Sequence, residues 1–123
     1  MTIAVERADF VSVPVQDMER AKRFYSETLG IQSPNLDEGW PEFETGSVSL
    51  YLVDPTMFGE EFTPHVGHIA LRVPDVAAAR TELEQAGVEF HGEIRDTGVC
   101  HMAFFADSEG NALMLHRRYA PDE

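Results

Sequence analysis

The residues best equipped for chemistry in this chain are histidines on strand-like stretches. His68 heads the alternating run "GHIALRVPD" (residues 67–75), His101 lies in "VCHMAFFAD", and His116 lies in "NALMLHRR". An imidazole titrates near neutrality, so it can exchange protons or, when neutral, hold a metal. Three of them converging from three strands would make a metal site. Arg72 is expected on the same face as His68, as the one base there, and a guanidinium suits a carboxylate or phenolate ligand. Nucleophilic catalysis is a poor fit. Cys100 and His101 are adjacent on a strand, so they point to opposite faces and cannot act as a dyad. Ser108 sits in a turn with no base signalled nearby. His65, in a Pro/Gly-rich segment, and His91, on another strand, are expected at solvent or at the core edge.

The composition narrows the partners. The chain has 123 residues, of which 43% are hydrophobic, which suits one soluble domain spanning residues 1–123. A net charge of −13 argues against nucleic acid and against an anionic membrane, both of which call for a basic surface. No Lys or Arg occurs between Arg23 and Arg72, while Glu27, Asp37, Glu38, Glu42, Glu44, Asp54, Glu60 and Glu61 all fall there; the plain reading is a solvated, solubilising face. One cysteine rules out an internal disulfide framework. No apolar run approaches the length of a membrane span, and "MTIAVERADF" is too short and acidic for a secretory signal. A cytoplasmic protein is expected.

The elements that would position these groups come as a repeat. "FVSVPVQDMERAKRFYSETLG" (residues 10–30) aligns with "HIALRVPDVAAARTELEQAG" (residues 68–87), so that Val11, Val13 and Val15 fall on Ile69, Leu71 and Val73, Asp17 on Asp75, and Gly30 on Gly87. A self-match of this kind marks duplicated modules. Each copy reads as a strand, an N-capping aspartate, a helix and a glycine that closes it in the left-handed conformation. The helical stripes are Met18, Ala21, Phe24 and Tyr25 in the first copy, and Val76, Ala79, Leu83 and Ala86 in the second. β signals follow: "WPEFETG" and "SVSLYLVD" in the first copy, then "VEFHGEI", "VCHMAFFAD" and "NALMLHRR" in the second. The loop "DSEGN" offers Gly110 and Asn111 as positions tolerant of positive φ. The expected fold is α+β: two tandem βαβββ modules, about 8–54 and 67–118, joined by a linker over 55–66. Together they form a partly open eight-stranded sheet around a groove, with the helices outside. A groove of this kind is a natural small-molecule site.

The stretches "VPVQDMERAKRFYSETLGI", "GHIALRVPDVAAARTELEQAGV" and "FADSEGNALML" resemble the vicinal oxygen chelate superfamily, which includes glyoxalases, bleomycin-resistance proteins and extradiol dioxygenases. The resemblance runs from about Asp9 to Arg117. Its catalytic members hold a divalent metal through residues on the first and last strands of each module. Those positions correspond here to Phe10, Tyr51, His68 and Met114, of which only His68 is a standard ligand. Phenylalanine has no lone pair to give, and a thioether is soft, suited to Cu(I) rather than to Mn, Fe, Ni or Zn. A catalytic metal asks for about three protein ligands, so no cofactor is expected; a divalent metal would need a rearranged site of His68, His101 and His116. The resemblance also implies a homodimer.

Strand alternation sets Phe10, Ser12, Tyr51, His68, Arg72, Met114 and His116 on the groove side, as an apolar lining with a few polar points. The favoured reading is a binding protein for an apolar or aromatic metabolite, such as an antibiotic to be sequestered, with a degenerate metal site. The alternative is a glyoxalase-like lyase or isomerase, or a dioxygenase. It would use a rearranged metal site or acid–base chemistry by His68 and Tyr51.

Overall fold

Along the first strand, Val13 and Val15 are completely buried while Phe10 and Ser12 are exposed. That is the two-residue period of a strand with one face against a helix. The computed structural model describes residues 2–121. The strands are β1 (Phe10–Pro14), β2 (Glu42–Glu44), β3 (Ser49–Val53), β4 (Ile69–Arg72), β5 (Phe90–Asp96), β6 (Cys100–Ala106) and β7 (Ala112–Arg118). The helices are α1 (Met18–Arg23) and α2 (Val76–Gln85). The chain divides into two compact units, residues 1–63 and 64–123, each with its own sheet and helix.

The first unit has three strands in the order β1-β3-β2, with β1 parallel to β3 and β2 antiparallel to it. Its core is Val13, Val15, Leu50, Leu52 and Phe43 from the sheet against Ala21 and Tyr25 from the helical segment. The Tyr25 and Phe43 rings lie 5.6 Å apart. Asp17 caps the helix as expected, its Oδ1 accepting the Arg20 N–H at 3.1 Å. Past Arg23 the helix widens into one π-helical turn, Phe24–Thr28, closed by Leu29 N–H to the Phe24 carbonyl at 2.9 Å. Gly30 then turns the chain at φ 69°.

The fourth strand expected in this module is reduced to a single bridge between Gln32 and Glu44, so the described residues form seven strands rather than eight. The cause is local. Pro34 has no N–H for a ladder. Asn35 beside it diverts the chain into a loop: its Oδ1 accepts from Glu42 N–H at 2.8 Å and its Nδ2 donates to the Trp40 carbonyl at 3.0 Å.

The second unit realises the full βαβββ module, in the order β4-β7-β6-β5 with β4 parallel to β7. Asp75 caps α2 through Ala78 N–H at 3.0 Å, and Val88 N–H returns to the Leu83 carbonyl past Gly87, at φ 95°. Val76 and Leu83 pack toward Ala103, Phe105, Leu113 and Leu115; Ala86, at the end of the expected stripe, is exposed. Each fully buried leucine here contributes about 1.5–3 kcal/mol. In β5 the pairing with β6 slips between His91 and Arg95, where Gly92 takes φ 76°.

The β6–β7 turn carries the most committed polar group in the fold. Gly110 adopts positive φ as expected, whereas Asn111 does not; it is completely buried instead. Its Oδ1 accepts the His65 N–H at 2.8 Å and its Nδ2 donates to Asp107 Oδ2 at 2.9 Å. Asp107 Oδ1 in turn accepts the N–H groups of Glu109 and Asn111, both at 2.8 Å. The stretch entering β4 is thereby tied to the turn that starts β7.

Removing this amide leaves the His65 N–H and one Asp107 oxygen without it in a water-poor site. Asn111→Ala is expected to destabilise the protein by about 2–4 kcal/mol, read as the loss of unfolding free energy in urea titration. A loss below about 0.5 kcal/mol, the range of surface substitutions, would show that the clasp does not hold the fold.

Candidate functional site

Each sheet has one face against its helix, and the chemistry lies on the other. In the first unit that open face carries Phe10 and Ser12 from β1, opposite Ser49 and Tyr51 of β3, with Glu42 of β2 opposite Tyr51. Phe10 is 54% exposed, and its ring meets Tyr51 edge-on at 4.8 Å. A concavity of about 900 Å³ opens at this end of the sheet, lined by Arg7, Asp9, Phe10, Glu42, Ser49 and Tyr51 among others. Arg7 and Asp9 form an exposed ion pair at its rim, 2.8 Å apart, which contributes little to stability. Loss of hydration first, then the charge of Glu42 and its hydrogen bond, then Glu38, push the Tyr51 phenol above its usual range. Tyr51 is therefore a hydrogen-bond donor at neutral pH and a poor base.

The second unit's open face is four strands wide. His68 stands immediately before β4, exposed, its ring 5.0 Å from Phe104 and edge-on to it. Met114 lies between Ala70 and Phe104 in register, and His116 between Arg72 and Met102. His68 and His116 thus share a face but sit four register positions apart, about 13 Å along the strand. They are at opposite ends of the sheet.

His101 corrects one expectation. It neighbours Met102, which is opposite His116, so strand alternation turns His101 to the other face. There its Nε2 lies 3.4 Å from Asp96 Oδ2, and its ring is 4.7 Å from Tyr119. Asp96 also accepts the Gly98 N–H and the Tyr119 hydroxyl, each at 2.8 Å. The Gly98 amide, then Tyr119 and the His101 charge, hold the Asp96 carboxyl below the usual range; Asp96 raises that of Tyr119. His68, His101 and His116 are not brought together. No group of three or more His, Cys, Asp or Glu suited to a metal occurs among the described residues.

Arg72 is exposed, as an open-face residue should be, but it is not the one base there. Arg95 of β5 pairs opposite Met102 and brings its guanidinium 6.0 Å from the Phe104 centroid. Considering only the first and closing strands of a module leaves out β5 and β6, and with them Arg95, Met102 and Phe104. The strand signals in "VEFHGEI" and "VCHMAFFAD" marked both strands; the register between them did not follow from either.

The four residues that the resemblance places at chelating positions are Phe10, Tyr51, Met114 and His68. Phe10 offers no donor atom, the Tyr51 phenol holds its proton, and Met114 offers a soft sulfur, leaving His68. Tyr51 and His68 belong to different units.

The model of the Glyoxalase/Bleomycin resistance protein/Dioxygenase superfamily matches residues 7–115. No curated protein matches the chain significantly. Among solved structures, TnmS3, an antibiotic binding protein from Streptomyces sp. CB03234, is 33% identical, with 95% of this chain and 99% of that one covered and a TM-score of 0.76. A glyoxalase/bleomycin resistance protein from the same Streptomyces is 34% identical, covering 91% of this chain and 100% of that one, at a TM-score of 0.70. A superfamily member from Sphaerobacter thermophilus DSM 20745, 21% identical, shares the fold at a TM-score of 0.76, with 91% and 97% covered. No helix among the described residues is long and apolar enough to cross a membrane.

The Tyr51 environment can be checked directly. In Glu42→Gln, Tyr51 is expected to ionise at lower pH than in the parent protein, since a neighbouring negative charge is removed and the charged acceptor becomes a neutral amide oxygen. The readout is ultraviolet phenolate absorbance during alkaline titration, with Tyr51→Phe identifying its share of the signal. An unchanged midpoint would show that Glu42 does not act on the phenol.

Proposed function

The chain belongs to the glyoxalase/bleomycin resistance protein/dioxygenase superfamily, and on that premise we propose that it binds an apolar or aromatic small molecule without converting it, an antibiotic being one such ligand. The observation that carries this reading is the character of the positions where the family's catalytic members chelate. The exposed Phe10 and the half-buried Tyr51 form an aromatic pair on one sheet face, and Met114 lies beside the His68–Phe104 ring contact on the other.

Aromatic and thioether surfaces left in water are favourable platforms for a flat apolar ligand. Edge-on ring pairs expose faces on which another ring can stack. A few polar atoms, the Tyr51 hydroxyl among them, would orient a carbonyl or hydroxyl of the ligand. The antibiotic-binding relative, at 33% identity over nearly the whole chain, supports sequestration over turnover. The donor set supports the same conclusion, because Phe10 and Met114 replace groups a divalent metal would need.

Two measurements test the reading together: elemental analysis of the purified protein, and thermal-shift titration with Mn, Fe, Ni and Zn beside a panel of aromatic antibiotics. The expected outcome is no stoichiometric metal, no stabilisation by metals, and a rise in Tm with at least one aromatic compound that is recovered unchanged. Phe10→Ala should weaken that compound by about 1 kcal/mol, the scale of one aromatic contact. Stoichiometric metal, or a metal-induced stabilisation abolished by His68→Ala, would overturn it.

A further inference from the structure

Two guanidinium side chains and an imidazole line up in one row across the second unit's open face. Reading the register from β4 to β5, Arg72 pairs with His116, His116 with Met102, and Met102 with Arg95. Neighbouring strands are about 4.8 Å apart, so the row spans about 14 Å. The next row, about 7 Å along the strands, is Ala70, Met114, Phe104 and His91. A cationic edge thus borders a shelf made of Met114 and Phe104, and the Arg95 guanidinium already leans over the Phe104 ring.

These two arginines make no ion pair among the described residues, in a chain with 22 acidic and nine basic side chains. Arg23 and Arg117 also lack an ion pair among the described residues, so what sets Arg72 and Arg95 apart is that they lie in one register row on the open face. The acid next to Arg95 is turned away: Asp96 faces the other side of the sheet, where it holds His101, Tyr119 and the Gly98 amide. Glu93 lies inside the bulged stretch between His91 and Arg95, where the pairing is broken.

We propose that this face recognises a planar aromatic oxyanion, a carboxylate or phenolate on a flat apolar body, with Arg72, His116 and Arg95 receiving the oxyanion and Met114 and Phe104 the body. The inference rests on the small-molecule reading above and names the class of ligand. A guanidinium donates two parallel N–H groups to a planar oxyanion, and the contact strengthens where apolar surface displaces water beside it. His116 adds an N–H donor between the arginines. A cationic ligand would meet the guanidinium charges of Arg72 and Arg95 at the two ends of the row and is disfavoured.

Matched probes that differ only in charge test this: 2-naphthoate, its neutral carboxamide, and the corresponding naphthylmethylammonium, titrated by calorimetry against the full chain. Naphthoate is expected to bind about tenfold more tightly than the amide, the scale of one charge-assisted hydrogen bond, and the ammonium more weakly than either. In Arg72→Gln and in Arg95→Gln, both exposed positions, the ratio of naphthoate to amide affinity should shrink toward one. Arg72→Lys should retain part of it. Equal affinity for acid and amide, preference for the ammonium, or an unchanged preference in both glutamine variants would overturn the anion assignment and leave small-molecule binding standing. Failure of every probe to bind would overturn the oxyanion assignment, and the antibiotic panel then decides the small-molecule reading on its own. The two variants are independent, so loss of folding in one leaves the other to decide.

Discussion

Each sheet can bury only one of its faces against its own helix, and the two-residue period of the strands decides what is left on the other. In the first unit Val13, Val15, Leu50 and Leu52 are committed inward; in the second, Leu113, Leu115, Ala103 and Phe105 are. A slip of one residue in any of these strands would exchange a buried aliphatic for Phe10, Tyr51, Met114 or His116 and lose several kcal/mol of burial. The same constraint that stabilises the fold therefore fixes the identity of the open face. The candidate site residues lie there because the core claims the alternate positions.

Holding that arrangement in the second unit takes a polar contact as well as apolar ones. Asn111 is buried where β7 begins, and its amide reaches back to the backbone of His65, close before β4. The strands β4 and β7 are parallel neighbours far apart in sequence, with no hairpin to align them. A buried amide with both ends satisfied does that work, and Asp107 keeps it oriented.

The two open faces differ in charge although they descend from one repeated module. The first unit sets Glu42 beside its aromatic pair and raises the Tyr51 phenol; the second sets Arg72 and Arg95 beside Phe104 and Met114. The first is suited to donating a hydrogen bond from Tyr51 and the second to receiving an oxyanion. Neither offers a group of hard donors for a divalent metal among the described residues. One scaffold carries different side chains on its two open faces, which is how one fold comes to serve different functions.

Much of the fold was legible in the sequence because its signals are local. The capping aspartates Asp17 and Asp75, the closing glycines Gly30 and Gly87, and the alternation of Val11, Val13 and Val15 each act within a few residues, so reading them in order yields the modules and the inward face. The superfamily, too, was legible in the repeated strand-to-helix turn. What local signals did not contain was register across strands. That His101 turns away from His116, that Arg95 joins Arg72 on one row, and that the fourth strand of the first module shrinks to a bridge beside Pro34 all depend on which residues face each other at a distance in sequence. Asn111 makes the same point: its type suggested a turn, and only the proximity of His65 made it a buried clasp. The sequence by itself determined which residues belong to strands, caps and core, because propensity and periodicity act locally. The tertiary structure decided which polar groups meet, because hydrogen-bond register couples residues that no short window contains.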